Sequence, residues 1–401
     1  MDEQALSDVK VLDVGHYIIG PYCTKLLGEF GAEVIKVERP GSGDGARRMG
    51  PFPQDVPHSE KSALFLYLNT GKKGITLDLK SDRGMKIFQE LVKDADVLVE
   101  NFEPNEAAAL GLSWEVLKEI NPKLIMTSIS NFGHTGPYRD FKGTNLTLTA
   151  LGGAQAITGV DPPIKLGGSQ TEYMTGLMGF NATMGALLWR HSEGKGQHVD
   201  LSTMEVVAGN LEGVNTEYCY LGMTRLRRGQ QMMKLVYGHP VGNYPCRDGW
   251  VVVIPGLGGM EKLSLLVEHP EYMEEELFVK RRQRQARPQE FDEKYLYPYL
   301  KEHDMNEIFH SAQELRMPFG VAQNAAELLE DEHLKAREFF VEREHPVAGN
   351  LAYPGVPFKL SETPCQIGRA PLLGEHNEEI YCQKLGYTKE ELVRLRQTNV
   401  I

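Results

Sequence analysis

The first 130 residues alternate between short β-branched, apolar runs and amphipathic segments, and this alternation restricts the fold more than any other feature. Residues 9–14, 33–38, 74–79, 96–101 and 123–130 carry apolar side chains on both faces, as buried parallel strands do. Between them, residues 24–30, 81–93 and 114–120 read as helices; the first follows Gly20-Pro21 and stops at Gly31. Strand and helix in repeated succession predict an α/β fold: an open parallel sheet with helices on both faces. Such sheets take ligands beyond the carboxyl ends of their strands. Three loops fall there, at residues 15–21, 38–44 and 100–104.

The pattern does not continue through all 401 residues, a length that suits two or three domains. After residue 223 a basic stretch, TRLRRGQQMMK, precedes short strand-like pieces and then charged helical segments over residues 271–310. The division expected is a large domain at 1–200, a linker helix at 201–224, a small domain at 225–325 and a return to the large domain at 326–401. Residues 316–321 already look like part of that return. Helices at 375–385 and 388–397 close the chain. The run RRQRQAR at residues 281–287 reads as a solvated helix face.

A net charge of −12 argues against a general nucleic-acid surface, so a polyanionic ligand needs local basic residues. The acidic opening MDEQALSDVK has no apolar core, and no apolar run is long enough to span a bilayer. The five cysteines form no C-x-x-C pair and read as reduced thiols. The expectation is a cytoplasmic protein with no membrane, nucleic-acid or metal partner. His191 and His198 lack metal-ligand spacing and are read as surface or capping residues.

Residues 165–197 form the longest helical stretch, entered through Gly167-Gly168 and left through Gly194-Lys195-Gly196. Glu172 stands at its front, where free N–H groups and the helix dipole favour an anion. Two readings stand side by side: an ordinary first-turn acid, or a carboxylate nucleophile. The G-x-G at residues 41–43 follows the second strand and opens no helix, so it is not a dinucleotide fingerprint. No P-loop, H-E-x-x-H or G-x-S-x-G is present.

Several blocks, in order, carry a resemblance: VLDVGHYIIGPYCTKLLGEFGAEVIKVERPGSGD, LNTGKKGITLDLKS, ADVLVENFEP, INPKLIMTSISNFGHTGPY, RHSEGKGQHVDLSTMEV and GRAPLLGEHNEE. Nearly end to end, the chain resembles the class III CoA-transferases, the family of formyl-CoA transferase and carnitine CoA-transferase, which also includes acyl-CoA racemases. The resemblance implies a Rossmann-like domain whose sheet is formed from both chain ends, a smaller α+β domain, long linkers and an interlocked dimer. It implies no tightly bound cofactor, with coenzyme A and acyl-CoA as substrates alongside a carboxylic acid.

The family's nucleophile is an aspartate, 18 residues before the Arg of an R-x-x-x-G-x-G-Q block; counting back from Arg190 gives Glu172. Its carboxylate arm is one methylene longer. Three outcomes stay open: Glu172 is the acyl acceptor; it is the base of a racemase or isomerase; or it is idle, in a subunit whose paralogous partner carries the aspartate, as in a benzylsuccinate-type CoA-transferase. The resemblance places CoA contacts at His16, Tyr17, Ile18, Arg39, Lys72, Lys73, Asn101, Phe102 and Lys142. It places Asn145 near the nucleophile, and Gly258 and Gly259 in a mobile loop that covers it. Ile18 and Ala109 stand where formyl-CoA transferase has Gln and Arg, so an apolar acyl group is expected over oxalate-like acids.

Overall fold

The computed structural model describes residues 4–159, 161–211, 213–224, 238–256 and 258–401. The basic stretch after residue 223 and Leu257 lie outside these, apart from Thr224. The chain divides into two units. The first comprises Met1–Ala154, Lys165–Met223 and Lys335–Ile401; the second comprises Gln155–Ile164 and Thr224–Leu334.

In the first unit six strands run β1 (Lys10–Asp13), β2 (Glu33–Glu38), β3 (Lys73–Thr76), β4 (Val97–Glu100), β5 (Ile125–Ser130) and β6 (Gln197–Ser202). The helices among and after them are α1 (Ile19–Glu29), α2 (Ala63–Leu68), α3 (Asp82–Lys93), α4 (Pro104–Ala109), α5 (Trp114–Ile120), α6 (Asn145–Leu151), α7 (Ala154–Ile157), which belongs to the second unit from Gln155 onward, α8 (Gln170–Glu193), α9 (Thr203–Gly209) and α10 (Val214–Leu221). The sheet order is β3-β2-β1-β4-β5-β6, and every pairing is parallel. The order reverses between β1 and β4, which opens a crevice at their carboxyl ends.

Alternation along each strand explains why both faces are apolar. Leu12, Ile35, Leu98 and Met126 face α3 and the C-terminal helix Lys389–Gln397, meeting Phe88, Leu91 and Leu392. Val11, Val34, Val99 and Ile125 face α1 and α8, meeting Cys23, Leu27 and Leu187. Burying one such side chain contributes about 2 kcal/mol. All six strands come from residues 10–202, so the sheet is not formed from both chain ends. The C-terminal segment instead joins by packing and adds a hairpin, β10 (Phe340–His345) with β11 (Gly349–Pro354).

The expected linker helix over 201–224 is broken into α9 and α10. α9 ends at Gly209 with Asn210 as its cap, and Gly213, left-handed at φ 75°, caps the start of α10. In the second unit β7 (Gly242–Pro245), β8 (Trp250–Val253) and β9 (Gly320–Val321) form an antiparallel sheet beside helices. Residues 316–321 therefore do not return to the first unit: Met317 and Phe319 bury in the core with Phe278 and Tyr295. The run at 281–287 is not wholly solvated either. Arg284 is buried and donates to the carbonyls of His239 (2.6 Å) and Val279 (2.8 Å). Among the described residues no helix is long and apolar enough to cross a membrane.

Candidate active site

Two helix starts in the first unit bring Glu172 and Asn145 together. Thr144 and Thr147 form a reciprocal capping box that fixes the start of α6, so Asn145 occupies its first helical position. The Thr149 hydroxyl donates to the Asn145 carbonyl (2.6 Å) and lies 3.1 Å from the Thr171 hydroxyl, which ties α6 to α8. Glu172 sits in the first turn of α8, half-buried, after Ser169. The Asn145 amide donates a hydrogen bond to its carboxylate. Asn145 Oδ1 is buried without a hydrogen-bond partner in the protein. Among the described residues no salt bridge engages the Glu172 carboxylate; the hydrogen bond to it comes from a neutral amide. Beside it Tyr173 meets Tyr22 edge-on, with ring centroids 4.9 Å apart.

At the switch point the loops after β1, β2 and β4 form the second part. Asn101 clamps the first loop: its Oδ1 accepts from His16 N (2.6 Å) and its Nδ2 donates to His16 O (3.0 Å). Phe102 packs edge-to-face on His16 at 5.1 Å. Asp44 Oδ1 accepts from Tyr17 N at 2.9 Å, holding Tyr17 at φ 62° with its ring exposed. Burial first, then Lys36, pushes the His16 imidazole down to about 4, so it is a neutral ring at physiological pH. A cavity of about 400 Å³ opens here, floored by Val14, Val37 and Leu77 and rimmed by Arg39 and Lys80. A second, of about 240 Å³, shares His16, Arg39 and Phe102 and adds Arg48. Arg39, Arg48 and Lys80 can pair with phosphate groups, while Asp78 lines the first cavity and Glu106, 3.8 Å from Arg39, lines the second.

His16, Tyr17, Arg39, Asn101 and Phe102 are thus gathered around the crevice. Ile18, Lys72 and Lys73 are not. Ile18 is buried at the start of α1 and lines neither cavity. Lys72 is buried, and its Nζ is held by Asp13 Oδ2 (2.9 Å), Pro21 O (2.8 Å) and Asn69 Oδ1 (2.9 Å). Lys73 opens β3 at the amino edge of the sheet, opposite the crevice, and pairs with Glu33 and Glu379. Lys142 is exposed and acts on Glu103 of the β4 loop. Arg48 and Lys80 were not anticipated; the only sequence signal for them is a basic residue shortly after β2 and β3. A thread of contacts joins the two parts: Asn131 Nδ2 donates to Glu103 Oε1 (2.5 Å) and to Gly143 O (3.5 Å), two residues before Asn145. Gly258 and Gly259 belong to the second unit, where Gly258, at φ 68°, caps the helix Gly259–Leu266. Among the described residues no group of three or more His, Cys, Asp or Glu side chains is placed to hold a metal ion.

Residues 6–377 match the family model described as CoA-transferase family III. The chain belongs to that family. Over 401 residues it is 33% identical to a succinyl-CoA–D-citramalate CoA-transferase of Chloroflexus aurantiacus, covering 99% of this chain and 98% of the relative. It is 32% identical to the alpha subunit of a succinyl-CoA–L-malate CoA-transferase of the same organism, covering 100% of this chain and 93% of that one. The crystal structure of a CaiB/BaiF family protein from Brucella suis superposes with a TM-score of 0.86 at 28% identity, over 96% of this chain and 100% of that chain. The family III enzyme described here is a CoA-transferase, acting between an acyl-CoA and an organic acid.

Proposed function

We propose that this CoA-transferase works through Glu172 as its acyl acceptor. The observation that carries the reading is the half-buried Glu172 carboxylate, presented at the start of α8 and held by the neutral Asn145 amide. The carboxylate attacks the thioester carbonyl of the donor, and the C–S bond breaks to give a mixed anhydride and CoA thiolate. The thiolate attacks the Glu172 acyl carbon, releasing the donor acid and leaving a glutamyl-CoA thioester. The acceptor carboxylate attacks that thioester, and the thiolate then attacks the acceptor's acyl carbon and frees Glu172. Dividing one acyl exchange in this way is nucleophilic catalysis. The Asn145 N–H is placed to orient Glu172 and to stabilise developing negative charge.

His16, Arg39, Arg48, Lys80, Asn101 and Phe102 are assigned to the CoA nucleotide. Succinyl-CoA is the donor to test first, by analogy with the relatives' names. Ile18 is buried and gives no support to an apolar acyl site; by analogy with the acids in the relatives' names, small dicarboxylic acids are the acceptors proposed. Glu172→Gln should keep the fold and lower transferase turnover at least about 10³-fold. Turnover within threefold of wild type would refute the assignment.

A second reading has one specific support, the relative named as an alpha subunit. In it this chain is a silent partner in a heteromer with an aspartate-bearing paralogue, and Glu172→Gln leaves the assembled activity intact. A racemase reading has less support, because the group bonded to Glu172 is an amide with no titratable proton.

A further inference from the structure

The loop after β1 is held by a buried cation that the chemistry above does not use. Asp13 ends β1, and Lys36 lies beside it in register on β2. The side chains of Asp13, Lys36 and Asp44 are all fully buried. Lys36 Nζ donates to Gly15 O at 2.5 Å, pairs with Asp44 Oδ2 at 2.8 Å and faces Asp13 Oδ2 at 3.7 Å. Asp13 Oδ1 accepts from Gly15 N at 2.9 Å. Asp44 Oδ1 accepts from both Tyr17 N and Ala46 N at 2.9 Å. Asn101 takes His16 N and His16 O. From Gly15 N to Tyr17 N, every backbone N–H and C=O of the loop is therefore bonded to a side chain. Gly45 completes the arrangement: a Cβ there would collide with the Tyr17 ring.

Burial lowers the pKa of the Lys36 ammonium, but Asp13 and Asp44 outweigh it and hold it above its ordinary value, so Lys36 is charged. A buried ion pair adds little to net stability, because desolvation offsets its attraction. Here the charges fix backbone instead. Tyr17 sits at φ 62°, a conformation that a residue with a side chain keeps only where its surroundings over-determine it. We propose that Lys36, with Asp13 and Asp44, is a positioning residue: the three set the loop of residues 15–17, before CoA arrives, in the form that lines the crevice with His16 and Tyr17. A loop already in its bound form spares CoA the cost of ordering it. The inference rests on the assignment of the crevice to CoA.

Two measurements test it. In hydrogen exchange of the intact wild type, the amides of residues 15–17 should be protected before CoA is added, and CoA should raise that protection less than about threefold. Fast exchange that only CoA suppresses would overturn the inference. Calorimetry then compares CoA binding by wild type, Lys36→Met and the double variant Lys36→Met with Asp44→Asn. The double variant leaves Asp13 paired with Lys72, so no buried charge of this group stands alone, and it keeps an acceptor for Tyr17 N. Each Lys36 variant that folds should bind CoA about tenfold more weakly, with KM for acyl-CoA raised to match and kcat within about threefold of wild type. Lys72→Met disturbs Asp13 from outside the loop and should bind CoA as wild type does. Unchanged binding by the Lys36 variants, or equal weakening in Lys72→Met, overturns the inference. If neither Lys36 variant folds, the exchange measurement decides alone. Arg39→Ala reports on the crevice itself. If it binds CoA as tightly as wild type, the crevice assignment has failed and the inference with it; if it alone weakens binding, the crevice stands and the inference falls.

Discussion

His16 carries a side chain that usually titrates near neutrality, but its surroundings remove that behaviour. With the imidazole pushed down to about 4, the unfolded chain holds a proton between pH 4 and 6.5 that the folded chain does not. Stability from this residue is therefore fully present above pH 6.5 and is lost as pH falls toward 4. An NMR titration of the His16 ring should give a midpoint near 4, and a midpoint near 6.5 would contradict its placement. In the proposed CoA site, a neutral His16 leaves phosphate pairing to Arg39, Arg48 and Lys80. At this scale Glu172 stood out as a candidate because it sits at a helix start, at the distance from Arg190 that the family resemblance implies. Arg48 and Lys80 were not, because nothing local distinguishes a basic residue on a cavity rim from one on a solvated face.

Elements decide which of two adjacent lysines does what. Lys72 and Lys73 look alike in LNTGKKGIT, yet β3 begins between them. Lys72 turns into a buried lattice with Asp13, while Asp13 also faces Lys36 at 3.7 Å. Removing one partner of a buried ion pair leaves an uncompensated charge, which costs roughly 3 kcal/mol. Lys72→Met should therefore lower stability by about that amount in urea unfolding. The protein that remains folded should bind CoA with unchanged affinity. Weaker CoA binding at wild-type stability would return Lys72 to the list of ligand contacts. The strands themselves were readable, since runs such as VKVLDV and EVIKVE are apolar on both faces. The breaks were less so: α9 stops at Gly209 and α10 starts only after the left-handed Gly213, and β9 is two residues long and recognisable only by its pairing to β8.

Across the whole chain, sequence reasoning recovers what is local or periodic and misses what long-range folding assembles. The parallel sheet followed from strand and helix alternation. The family followed from ordered blocks. His198 stacks on Trp114 of α5 and its Nε2 lies 2.9 Å from the Ser128 hydroxyl of β5, so it is not the surface residue expected, and no short window of sequence contains these partners. The contact between Asn145 and Glu172, on helices 27 residues apart in sequence, was within reach only because the family resemblance set Asn145 near that position. That contact is the centre of the account, and one measurement addresses it directly. The purified chain is incubated with succinyl-CoA, reduced with borohydride, digested and mapped by mass spectrometry. With Glu172 as acyl acceptor, a CoA thioester is expected before reduction and a reduced side chain at Glu172 after it. An unmodified Glu172 in protein that still binds CoA would contradict it.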